Sequence, residues 1–194
     1  FAHLLLALLV AMPVPLSAQT AVFEEQPVWA ITPFTGRITS NVWSDIVTEP
    51  GEVEFGGATL AGIGVARNLL RYPFGLDVEV EGQIVKYFGD QTNFEFNLPA
   101  VARWTRFPWS EQFHTSTAFG LGISWANKIP EFEEARYDDG TQQLLPYWMI
   151  ELGIGPPKAP WSVVGRLHHR STGFGTFGES GGANSLVVGV RIER

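Results

Sequence analysis

Near its end the chain carries Arg166-Leu167-His168-His169-Arg170-Ser171-Thr172-Gly173, the one polar cluster whose residue types and spacing can do covalent chemistry. A histidine and a serine two apart on an extended strand project from the same face. The imidazole can then take the hydroxyl proton and make the serine a nucleophile. A neighbouring carboxylate would orient the ring and stabilise its charged form. Glu179, in the glycine-rich segment that follows, is the nearest acid in sequence. A plainer reading stands beside this one. His-x-Ser is a short pattern, and strand ends at the headgroup level of a membrane are naturally polar. Arg166, His168 and Arg170 also suit lumen ion pairs with Glu79, Glu81, Glu95 and Glu151 that would fill a narrow barrel.

The elements that must position these residues read as strands. Period-2 alternation recurs along the chain, with little sign of a helical period. Leu76, Val78, Val80 and Ile84 share one face, while Asp77, Glu79, Glu81 and Gln83 share the other. The same alternation returns over Phe94–Trp104, Thr117–Trp125, Leu144–Leu152, Val163–Leu167 and Leu186–Ile192. Weaker segments near Pro27–Thr39 and Phe55–Arg67 bring the expected total to about eight strands. The expected fold is therefore all-β: an eight-stranded antiparallel up-and-down barrel.

Alternation alone leaves two architectures open. A soluble lipocalin-like carrier would turn its apolar face inward around a ligand. A transmembrane barrel would turn that face to lipid and its polar face to the lumen. Connection lengths favour the membrane barrel. Ser40–Glu54, Asn127–Gln142 and Thr172–Ala183 are long, whereas the turns near Leu70–Pro73 and Gly155–Pro160 are short. The short third connection, near Phe88–Thr92, fits less well. By strand parity His169 and Ser171 continue the face of Val163, Gly165 and Leu167, which meets lipid in such a barrel. Polar residues in a lipid-facing row are costly unless they sit near the interface or serve a function.

Composition narrows the function classes. The chain has 194 residues, a net charge of −7, 21 glycines, 7 tryptophans and no cysteine. The acidic balance argues against nucleic acid as a partner, and the lack of cysteine excludes disulfides and thiolate metal sites. Leu4–Val10 followed by Leu16-Ser17-Ala18 reads as the apolar core and cleavage site of a secretory signal peptide. The expected organisation is a signal peptide over 1–18 and one barrel domain over 19–194, exported to the outer membrane of a Gram-negative cell. Asp138-Asp139-Gly140 with Glu131, Glu133 and Glu134 has the residue types for Ca²⁺, although an ordinary solvated acidic loop accounts for it as well.

The cluster Arg166-Leu167-His168-His169-Arg170-Ser171 resembles the Arg-x-x-His-x-Ser of the lipid A 3-O-deacylase (PagL-type) family, outer-membrane barrels akin to acyloxyacyl hydrolases. The resemblance is firmest over roughly the last 35 residues. It implies an eight-stranded outer-membrane esterase that removes an ester-linked acyl chain from lipopolysaccharide, with His169 as base and Ser171 as nucleophile. It implies no metal and no cofactor; lipopolysaccharide is the partner and water the second substrate. Two positions depart from the family. Thr172 stands where the family has an oxyanion-supporting asparagine, which leaves Thr172 and Gly173 as the oxyanion positions. The family's glutamate falls near Gly182, so the orienting role passes to Glu179 or to Asn184, whose parity places it on the face of His169. The alternative outside enzymes is a small barrel serving structure or envelope integrity.

Overall fold

The computed structural model describes residues 29–178 and 180–194. The signal-peptide reading of 1–18 lies outside them. The eight strands are β1 (Trp29–Thr39), β2 (Phe55–Tyr72), β3 (Leu76–Gly89), β4 (Phe94–Trp104), β5 (His114–Ala126), β6 (Leu144–Gly155), β7 (Trp161–Ser171) and β8 (Gly182–Glu193). Each pairs with its sequence neighbour, and β1 closes on β8, giving a closed barrel without free edges. Every pairing is antiparallel, as an up-and-down chain requires.

The pleat sorts the side chains as the alternation predicts. Leu98, Leu121, Leu152 and Val188 are each more than half exposed, while Glu81, Glu95, Arg103, Glu151 and Arg166 are almost wholly buried. An apolar outer wall around a charged interior is the polarity of a barrel solvated by lipid. The lipocalin-like arrangement is thereby overturned: the apolar faces line no internal cavity, because they point outward. No helix among the described residues is long and apolar enough to cross a membrane. The spanning elements are the strands.

The interior is held by a continuous ion network. The Arg166 guanidinium grips Glu81 with two nitrogens, at 2.7 and 3.2 Å, and bonds Glu151 through Nε. Glu151 also accepts from Arg103 at 2.6 Å, and Arg103 and Arg191 share Glu79 Oε1 at 3.1 and 2.7 Å. Burying these charges is costly, and only mutual pairing with several hydrogen bonds per group offsets it. The lumen role expected of Arg166 and Arg170 is met, Arg170 lying 3.5 Å from Glu95. His168 departs from that expectation. It is buried edge-on against Phe34 and Tyr147, and neither ring nitrogen has a hydrogen-bond partner among the described residues.

The connections fall into two groups. Residues 73–75, 105–113 and 156–160 lie at the end that carries Trp29 and Arg194, while 40–54, 90–93, 127–143 and 172–181 form the opposite rim. The two longest connections, 40–54 and 127–143, thus share one rim with the four-residue link at 90–93, while the other rim has one nine-residue connection, 105–113. At the other rim the tight β2–β3 turn closes with Gly75 N–H donating to Tyr72 O at 3.0 Å, and the glycine adopts φ +100°. That left-handed value favours glycine. Two loop-rim segments are helical: α1 (Trp43–Thr48) and α2 (Glu131–Glu134). α1 folds down the outer wall, where its Ile46 and Val47 meet Leu167, Leu186 and Ile150. Leu167 is therefore buried although it belongs to the outward face.

Candidate active site

β7 and β8 run side by side to the loop rim, pairing His169 with Asn184 and Ser171 with Gly182. His169 and Ser171 both fall on the outward face and are half-buried, as loop segments cover that part of the wall. His169 Nδ1 lies 2.6 Å from Asn184 Oδ1. Asn184 Nδ2 in turn donates to the carbonyl oxygen of Asn41 at 2.8 Å. That second bond fixes the amide, because only its NH₂ end can donate to a carbonyl. The oxygen end then faces His169, so Nδ1 carries the ring proton and donates it. Nε2 is left with its lone pair, the form a general base needs.

The ring is held from its face as well. Trp148, opposite His169 on β6, stacks on the imidazole with centroids 4.4 Å apart and an interplanar angle of 30°. Trp43 of α1 meets Trp148 edge-on at 5.6 Å. Asn41 and Trp43 bring the first long loop to the site from the far end of the sequence. The local pattern of the chain gives no signal for either contact.

Ser171 Oγ makes no hydrogen bond to a described residue. Residues two apart on one strand face sit roughly 6.5–7 Å apart along the chain, so the hydroxyl and the imidazole share one wall and line one cavity, with no hydrogen bond between them. Beyond it the chain turns sharply at Gly173, with φ +61°. Phe177 N–H donates to Thr172 O at 3.0 Å, and Thr176 Oγ1 donates to Gly173 O at 2.7 Å. The carbonyls of this turn are thus engaged, while the Thr172 and Gly173 N–H groups donate to no described residue.

The candidate acids fall apart in three ways. Glu179 lies outside the described residues. Gly182 has φ +115°, and a Cβ there would come within 2.1 Å of Arg170 O, so this position cannot carry a glutamate in the present backbone. The acidic run around Glu133 suggests a Ca²⁺-type or solvated loop, yet Glu133 is fully buried. It forms an ion pair with Arg170 at 2.8 Å, and its Oε2 accepts from Thr141 Oγ1 at 2.7 Å and from Gly182 N–H at 3.2 Å. Burial pushes its carboxyl up to about 7, against the opposing pull of Arg170 and the Thr141 hydroxyl. Glu133 therefore ties the β5–β6 loop to the strand ends that carry His169 and Ser171. Glu131 is spent on Lys128 and Thr92, and the Lys128 hydrogen bond holds its carboxyl down to about 2. No group of three or more metal-ligating side chains occurs among the described residues.

One cavity joins these parts: His169, Ser171 and Asn184 line it together with Val42 and Trp43 of the first loop and Arg136 and Tyr137 of the β5–β6 loop. Among the residues singled out from sequence, His169, Ser171 and Asn184 are thus brought together, with Thr172 and Gly173 directly after the serine. The roles of Asn41, Trp43, Trp148 and Glu133 come from the fold.

No protein-family model matches the chain, and no curated protein sequence matches it either. Solved structures do. The outer membrane enzyme PagL aligns with a TM-score of 0.58 at 12% identity, over 84% of this chain and 98% of that one. Neisserial surface protein A (NspA) aligns with a TM-score of 0.50 at 12% identity, over 87% and 99%. The N-terminal barrel domain of Pseudomonas aeruginosa OprF aligns at 0.48 and 13% identity, over 87% and 100%. Together with the closed eight-strand topology, the likeness to PagL establishes that this chain has the fold of an outer-membrane barrel.

Proposed function

We propose that the protein is a serine esterase of the Gram-negative outer membrane that hydrolyses an ester-linked acyl chain of lipopolysaccharide, in the manner of a lipid A 3-O-deacylase. The observation that carries this reading is the chain of contacts from the Asn41 carbonyl through Asn184 to Nδ1 of His169, which leaves Nε2 to act as base on the face that Ser171 shares. The site opens on the lipid-facing wall at the loop rim, where an acyl ester in the outer leaflet would lie.

In the proposed reaction Nε2 of His169 accepts the Ser171 proton as Oγ attacks the ester carbonyl carbon. The N–H groups that follow the serine, at Thr172 and Gly173, meet the negative charge that develops on the carbonyl oxygen. His169 then returns the proton to the departing sugar hydroxyl, leaving an acyl-serine. Water, deprotonated by the same nitrogen, cleaves that ester and releases the fatty acid. Stacking on Trp148 and the bond to Asn184 keep the ring in one orientation through both halves. A neutral amide in place of a carboxylate orients the ring without adding charge to stabilise the imidazolium.

A second reading, a non-enzymatic barrel serving envelope integrity, draws on Gly182 at the acid position and on the unbonded Ser171 hydroxyl. A fluorophosphonate, which phosphonylates only activated serines with loss of fluoride, separates the two. Mass analysis should find it on Ser171 of the refolded protein and lost in His169→Ala. An unlabelled Ser171 in well-folded protein would favour the second reading.

A further inference from the structure

The β5–β6 loop lines the cavity with a cation that no described carboxylate pairs, although the loops around it are acidic. The long loop at 40–54 holds only acidic charges, and the loop at 127–143 is mostly acidic too. Of its two cations, Lys128 is paired with Glu131. Arg136 has no carboxylate partner among the described residues. Its guanidinium is exposed and lies 6.0 Å from the Tyr137 ring. Both side chains line the cavity that His169, Ser171 and Asn184 also line.

The loop that presents this cation is firmly placed. Arg136 N–H donates to Glu133 O at 3.0 Å, and the Glu133 side chain is locked to Arg170, Thr141 and Gly182 in the barrel end. An unpaired guanidinium at a membrane interface is a strong site for a phosphate, which its planar fork meets with two parallel hydrogen bonds. The preset position also lowers the entropy cost of binding.

We infer that Arg136 binds a phosphate group on the same lipid whose ester lies against Ser171, and so selects phosphorylated acyl lipids. The inference rests on the proposed function, and its test is kept separate from catalysis. Full-length Ser171→Ala protein, refolded in zwitterionic detergent micelles, is titrated with diphosphoryl lipid A, with the same lipid A after enzymatic dephosphorylation, and with inorganic phosphate. Fluorescence of Trp43 and Trp148 at the cavity reports occupancy. Adding Arg136→Gln should weaken the phosphorylated lipid about tenfold or more, the scale of a lost charge-assisted pair. It should leave the dephosphorylated lipid unchanged, and Arg136→Lys should recover part of the loss. Equal affinity for the two lipids, or equal weakening of both by Arg136→Gln, would overturn the inference. Inorganic phosphate binding as tightly as the lipid would overturn it too, marking a free-anion site. Failure of esterase activity in protein with Ser171 intact would leave this binding result standing and sink only the catalytic reading.

Discussion

His169 and Asn184 face each other across the β7–β8 ladder, with Nδ1 and Oδ1 2.6 Å apart, and Asn184 is itself pinned by the Asn41 carbonyl at 2.8 Å. The chain thus orients this imidazole with an amide, where the proposed reaction would more familiarly use a carboxylate. Asn184→Leu removes the acceptor and frees the ring, so acyl release should fall by roughly a hundredfold, within the span of general-base catalysis. Asn184→Asp keeps the acceptor and adds charge beside the imidazolium, so the rate should be held or raised. Initial rates on purified lipopolysaccharide decide it; equal rates for the leucine variant and the wild type would detach Asn184 from the mechanism.

Glu151 joins Arg103 and Arg166 inside the barrel. Glu151→Ala strands two buried guanidinium groups and should destabilise the barrel by about 3–5 kcal/mol, whereas Glu151→Gln, which keeps a hydrogen-bond acceptor, should cost less. Urea unfolding in detergent micelles measures both.

Leu121 sits midway along β5 on the outward face, more than half exposed. In lipid vesicles Leu121→Arg should cost about 2–4 kcal/mol, the penalty for a cation near the midplane of the apolar band. A soluble barrel would accept the same change at its surface with little effect. Equal stability of variant and wild type in vesicles would remove Leu121 from the lipid-facing wall.

Glu133 makes the loop over the site pH-sensitive. Its folded value of about 7 lies above the ordinary 4.5, so between these the folded protein holds a proton that the unfolded chain has released. Its contribution to stability is then greatest below about pH 4.5 and declines as pH rises to about 7. Amide hydrogen exchange across 131–140, corrected for the intrinsic rate, should be faster at pH 8 than at pH 5. Glu133→Gln should flatten that difference.

The barrel was legible because one rule, repeated, describes it. Glu79 and Glu81 against Val78 and Val80, or Asn97 against Leu98, announce two faces, and every such pair falls on its expected side. The same parity put His169, Ser171 and Asn184 on one wall. Their distance to one another follows from β7 meeting β8, which consecutive strands with a turn between them predict. What periodicity could not reach are contacts made by loops: Asn41 with Asn184, Trp43 with Trp148, Glu133 with Arg170. Those depend on how far each loop folds back over the rim. Glu133 is the clearest case, since its acidic neighbours suggest solvent while the fold buries it. His168 shows the converse limit: parity sends it inward, but only the packing reveals that its ring nitrogens find no hydrogen-bond partner among the described residues.

The most direct test of the account is acyl release from purified lipopolysaccharide by the refolded protein, run beside His169→Ala and Ser171→Ala. Fatty acid is expected from the wild type and none above background from either variant. Release by Ser171→Ala at the wild-type rate, or no release from any of the three when all are folded, would contradict it.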